Sequence, residues 1–166
     1  MRVLFRAKTI SLILTGLGLS ISGYLLWRHL VLTGNLTGGS IDVCSDLFRV
    51  GCDATLVSPG SFQFGMPLAG WGLVYYSTLV AFLLLARFLG EAFEFEANFG
   101  ALLLSLPAFF VSLALAGMML SANVPFCPFC ALIHLINLAL VLSLKFQTGC
   151  TIPQLFHALA AGGKYL

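Results

Sequence analysis

The sequence predicts an all-α integral membrane protein built as a bundle of four transmembrane helices. Two observations predict it. Of the 166 residues, 60% are hydrophobic and only 8% charged, whereas a soluble domain carries about 25% charged residues. Charges are also missing from three stretches, residues 9–27, 54–86 and 97–144. A bilayer core about 30 Å thick takes roughly 20 apolar residues per helix, so the third stretch has the length for two spans. A formal net charge of +2 without a Lys/Arg run leaves no electrostatic footprint for nucleic acid.

Span 1 is expected over 8–32, after Arg2, Arg6 and Lys8, and ends before Gly34, Gly38 and Gly39, which punctuate a helix exit. Its apolar run is long and no clear A-x-A site follows, so it reads as a span and not as a cleavable signal peptide. A loop with Cys44 and Cys52 comes next and continues through Ser58, Pro59, Gly60 and Ser61, with short irregular or helical pieces near the membrane surface. Span 2, 66–88, opens at Gly65-Met66-Pro67, because proline is tolerated in a first helical turn. The link carrying Glu91, Glu94 and Glu96 reads as a solvated turn, with nothing pairing the carboxylates into a metal or catalytic set. Span 3, 98–122, contains Pro107, which should kink it. Asn123-Val124-Pro125-Phe126-Cys127-Pro128 then breaks the uncharged run, and span 4 occupies 128–146. The tail beyond it, with Pro153 and His157, is amphipathic at best. The whole chain, 1–166, forms one domain without an internal repeat.

Orientation follows from the cations. Arg2, Arg6 and Lys8, then Arg87, then Lys145 fall on one side of the membrane after four crossings, which makes both termini cytoplasmic. The segment 28–53 and the link near Asn123 face the opposite side, where disulfides are permitted.

Cysteine placement carries the chemistry. Cys127-Pro128-Phe129-Cys130 is a Cys-x-x-Cys motif at the start of a helix, and Cys44 and Cys52 lie in a loop on the same side. Two pairs on one oxidising face can exchange disulfides. Cys150 falls on the cytoplasmic side as a free thiol. If Cys127 caps span 4, with Pro128 at the first helical position, its sulfur meets unpaired backbone N–H groups and the positive end of the helix dipole. Both stabilise a thiolate. Cys130 lies one turn deeper, within reach of a hydrophobic electron acceptor. His134 and Asn137 continue the same face at i+7 and i+10 from Cys127. Within a span such polar groups are costly and face a site or a partner helix. His134 is then either a core histidine or a group that hydrogen-bonds a quinone carbonyl or supplies a proton, and Asn137 is an interhelical hydrogen-bonder.

These residues resemble the vitamin K epoxide reductase (VKOR) family, specifically its bacterial members. The resemblance runs from span 1 to the end of span 4. It is carried by Cys44-x7-Cys52, Ser58 six residues later, Phe64-Gly65-Met66-Pro67 leading into Gly70-Trp71-Gly72, and Cys127-Pro128-Phe129-Cys130 followed by Asn137. The resemblance implies an extracytoplasmic loop capping a quinone site, with Cys130 reacting with ubiquinone or menaquinone. It further implies that Cys127 exchanges with Cys52 and that Cys44 exchanges with an external thioredoxin-like protein. Electrons would run from that partner through Cys44, Cys52, Cys127 and Cys130 to quinone, each transfer between proteins or cysteine pairs being a thiolate attack through a mixed disulfide.

By the same match Ser58, Phe64, His134 and Asn137 belong to the quinone-binding set. Ser58 at Ser58-Pro59 also reads as a local turn or cap, and Phe64 and Trp71 as packing or interface aromatics. The chain departs from the family in two respects. His134 stands where the animal reductases have tyrosine, which favours simple quinone reduction over reduction of a vitamin K-like epoxide. No fused thioredoxin-like domain is expected, so the partner would be a periplasmic Dsb-type dithiol protein acting in trans at the bacterial inner membrane. A DsbB-type enzyme performs similar chemistry with the order of its cysteine pairs reversed. A structural zinc site built from the four external cysteines needs tighter loop spacing, and no metal is expected. Haem attachment fails because Ala131, not histidine, follows Cys130.

Overall fold

The computed structural model describes residues 2–37, 42–48, 52–121 and 125–149. Asn123, Cys150 and the tail with Pro153 and His157 lie outside the described residues. Six α-helices are described: α1 (Arg2–Leu32), α2 (Val43–Phe48), α3 (Asp53–Leu56), α4 (Leu68–Phe88), α5 (Glu91–Leu120) and α6 (Pro128–Thr148). Four of them contain segments long and apolar enough to cross a bilayer, Ala7–Leu32, Leu68–Phe88, Glu94–Leu120 and Pro128–Thr148. The chain is a four-helix membrane bundle.

Two boundaries differ from expectation. Met66 and Pro67 do not begin a span. They form a two-residue strand, β2 (Met66–Pro67), paired antiparallel with β1 (Phe62–Gln63), and α4 starts after them. The reason is local: Phe64 and Gly65 both take positive φ, 53° and 77°, the backbone of a two-residue turn whose twist matches a hairpin. The third span's helix starts at Glu91, well before residue 98. Carboxylates are favourable in a helix's first turn, where they offset the dipole. Glu94 is therefore not in a solvated turn; it forms an ion pair with Lys8 of α1. The helix continues past Pro107 to Leu120.

In the bundle α1 packs on α4 and α6, and α5 packs on the same two. Tyr76, Leu79, Leu83, Leu102, Ile136, Leu140 and Leu144 are at the centre of its core. Lipid tails are as apolar as leucine, so close backbone approach and interhelical hydrogen bonds must hold such helices together. Both are present. A Cβ on Gly18 would overlap the Tyr76 ring, so only glycine lets α1 and α4 meet there. Tyr76 Oη donates to Asn137 Oδ1 at 2.7 Å, and Asn137 Nδ2 donates to Ser112 Oγ at 2.6 Å, joining α4, α6 and α5. Farther along the bundle Gln147 Nε2 donates to Ser11 Oγ at 2.7 Å, tying α6 to α1.

Candidate functional site

Cys127 is the N-cap of α6, with Pro128 in the first helical turn, as the sequence indicated. Its backbone is extended, which aims the sulfur back over the helix, and Cys130 N donates to Cys127 Sγ at 3.2 Å. The two cysteines form a disulfide with Cα atoms 5.2 Å apart.

Cys44, in α2, forms a second disulfide with Cys52, which precedes α3; their Cα atoms are 6.0 Å apart. Both bridges occupy one apolar cluster. Leu25, Cys44, Cys52, Leu56 and Cys127 form its buried part, and Tyr24, Phe129, Cys130 and Ile133 pack against it. Cys44 and Cys127 are 0% exposed and Cys52 is 1% exposed, while Cys130 is half-buried. Phe129, between the cysteines of the motif, meets Phe48 of α2 and Tyr24 of α1 edge-on, with centroids 5.4 and 5.5 Å apart.

A four-residue helix such as α3 has no stability of its own, so its neighbours must place it. Arg28 Nε and Nη2 donate to Asp53 Oδ1 and Oδ2 at 2.9 and 2.7 Å. His29 Nδ1 donates to the Leu56 carbonyl at 2.9 Å. Thr55 Oγ1 donates to the Pro125 carbonyl at 2.8 Å, two residues before Cys127. The loop that carries one disulfide is thus fastened both to α1 and to the segment that carries the other.

The remaining predicted residues divide. His134 follows Cys130 by one turn of α6, and its Nδ1 is buried with no hydrogen-bond partner among the described residues. Asn137 is buried, and its amide is already bonded to Tyr76 and Ser112, the interhelical role its position suggested. Ser58 Oγ donates to the Thr55 carbonyl at 2.8 Å, and Ser58 O accepts from Ser61 N at 2.9 Å, which makes it a turn residue after α3. Phe64 does not join the cysteines. At the hairpin turn it is 95% exposed, with its ring edge toward Trp71, because the positive-φ turn carries it away from the bundle. Arg28, His29 and Thr55 were not anticipated; the signal for the first was an arginine ending a span in a chain with so few charges.

The model of the vitamin K epoxide reductase family matches residues 9–144. The chain belongs to that family. Comparison with curated proteins returns no match. As a VKOR-family protein the chain is a membrane thiol–disulfide oxidoreductase of a quinone-associated family, and its two adjacent cysteine pairs suit that chemistry. The residues also suit a quinone. An unpartnered buried nitrogen is costly, and a carbonyl oxygen placed along the Cys130–His134 face would accept the hydrogen bond that His134 Nδ1 lacks.

Proposed function

We propose that the protein oxidises a periplasmic thioredoxin-like, Dsb-type dithiol protein acting in trans and delivers the electrons to a membrane quinone, supporting disulfide formation. In this reading it sits in a bacterial inner membrane with both termini cytoplasmic. The observation that carries it is the placement of both disulfides in one buried cluster at the head of α6.

A thiolate of the partner attacks Cys44, the Cys44–Cys52 bond breaks, and Cys52 leaves as thiolate. The partner's second thiol resolves the mixed disulfide, so the partner leaves oxidised and Cys44 is reduced. Cys52 then attacks Cys127 Sγ, forming a Cys52–Cys127 bridge and releasing Cys130 as thiolate. Cys44 attacks Cys52, which restores the loop disulfide and frees Cys127. The N-cap position, with Cys130 N donating to its sulfur, stabilises Cys127 as a thiolate and so as a leaving group. A bound quinone supplies the acceptor of two electrons and two protons that returns the Cys127–Cys130 pair to the disulfide. Cys130, the half-buried sulfur, and His134 would hold it, His134 through a hydrogen bond or a proton at Nδ1. Because Cys44 is buried, attack by the partner requires α2 to move enough to uncover the sulfur.

The test is quinone reduction by the purified, detergent-solubilised chain with a reduced thioredoxin-like protein. Turnover should vanish in Cys130→Ala, and a mixed disulfide on Cys44 should accumulate when the partner lacks its second, resolving cysteine. Retained turnover in Cys130→Ala would defeat the assignment. Running ubiquinone against menaquinone in the same assay identifies the preferred acceptor.

A further inference from the structure

We infer that Arg28 and Asp53 are a positioning pair for the internal step of the relay, holding Cys52 in place for exchange with Cys127. The inference rests on the proposed relay and adds to it a pair of residues that touch neither substrate nor sulfur.

Cys52 changes partners during turnover. While it is bonded to Cys44, the disulfide itself restrains it. Once that bond opens, only noncovalent ties hold Cys52 near Cys127, and α3 is too short to hold itself. Among the described residues three ties reach α3, at Asp53, Thr55 and Leu56. The one at Asp53 is directly beside Cys52. It is also the one with a fixed orientation, since both oxygens of the carboxylate accept from the planar guanidinium. An exposed ion pair contributes little to stability, but the Arg28 side chain is 11% exposed and that of Asp53 34%. A two-pronged bond in that setting restricts direction as well as distance. Charge acts in the same sense: an unpaired Asp53 carboxylate would oppose the Cys52 thiolate beside it, and Arg28 neutralises it.

The experiment uses the full-length chain carrying Cys130→Ser. There the Cys127 thiolate can attack Cys52 within the Cys44–Cys52 disulfide. The Cys44–Cys52 bond breaks, a Cys52–Cys127 bond forms, and the electron pair leaves on Cys44, so no external oxidant is involved. The ratio of the two bridged forms is read by acid quench, alkylation and non-reducing mass spectrometry. Arg28→Gln and Asp53→Asn should each lower the share of Cys52–Cys127 about tenfold, within the range of coupled charged neighbours. The double variant should fall no further, and Arg28→Lys, which keeps the cation but loses the fork, should recover part of the ratio. Circular dichroism reports the fold of each variant, and Arg28→Lys carries the comparison if Arg28→Gln does not fold. An unchanged ratio in the single variants, or additive losses with no recovery by lysine, overturns the positioning role. If the Arg28-intact protein forms no Cys52–Cys127 bridge at all, the relay itself fails and this inference falls with it.

Discussion

Asn137→Ala should lower stability and leave the apparent affinity for quinone unchanged. Asn137 accepts from Tyr76 Oη at 2.7 Å and donates to Ser112 Oγ at 2.6 Å, so one amide joins three spans. Interhelical hydrogen bonds in membranes average about 0.6 kcal/mol and reach about 1.7, so two of them bracket a loss between about 1.2 and about 3.4 kcal/mol. The site is closed, with Asn137 at 5% exposure and Tyr76 at 1%. Truncation therefore strands the tyrosine hydroxyl away from water, which places the expected loss near 2 kcal/mol, in the range for buried orphan groups of about 1–3 kcal/mol. Equilibrium unfolding in mixed micelles measures it, beside the KM for quinone. Tyr76→Phe removes one bond and should cost about 0.6 kcal/mol, and adding it to Asn137→Ala should cost less than the sum because the bond is already gone. The outcome that refutes this reasoning is unaltered stability with a raised quinone KM, which would make Asn137 a quinone contact after all.

His134→Leu should do the converse, raising the quinone KM by up to about tenfold, the worth of one hydrogen bond, while stability holds because its Nδ1 has no partner among the described residues to lose; an unchanged KM removes His134 from the site. Phe64→Gly should stabilise the hairpin by about 1 kcal/mol by relieving a non-glycine φ of 53°, with quinone kinetics unaltered, and a raised KM would return Phe64 to the pocket. Gly18→Val should destabilise by about 1–3 kcal/mol through overpacking against Tyr76, measured by thermal unfolding; a neutral result would mean that the α1–α4 contact is loose.

The spans were legible because excluding charge from lipid leaves uncharged runs that can be counted in the sequence. Cys127 was legible for a related reason: capping is local, and a proline after a cysteine at the head of an apolar run determines where the helix begins. Met66-Pro67 misled because proline suits a helix's first turn and a strand end equally well, and the deciding fact was a positive φ at Phe64, a residue type that rarely adopts it. Glu94 misled because its partner, Lys8, is far away in sequence and only the packing of α1 near α5 brings them together. The three ties on α3 were invisible for the same reason. Two of their acceptors are backbone carbonyls, which carry no residue-type signature. Arg28 and Asp53 marked the two ends of the segment 28–53 in the sequence, and the fold joins them.

The burial of the sulfurs imposes an order on the proposed relay. Thiol–disulfide exchange needs a thiolate to reach a sulfur directly, and Cys44, Cys52 and Cys127 are essentially sealed while Cys130 is half-buried. Small thiols should therefore reduce the resting Cys44–Cys52 bridge slowly. In the proposed relay a docked protein partner would gain access by displacing α2, a six-residue helix that is marginal alone and far cheaper to move than a span. Among the described residues, one contact that holds α2 down on the motif is Phe48 against Phe129, ring centroids 5.4 Å apart and nearly perpendicular at 89°. Such a pair contributes about 0.5–1.5 kcal/mol, so Phe48→Ala should raise the population with Cys44 uncovered by about two- to tenfold. Reduction of the Cys44–Cys52 bridge by glutathione should accelerate by the same factor, followed by alkylation and mass spectrometry, while global unfolding changes little. An unchanged rate would mean that Phe48 does not guard Cys44.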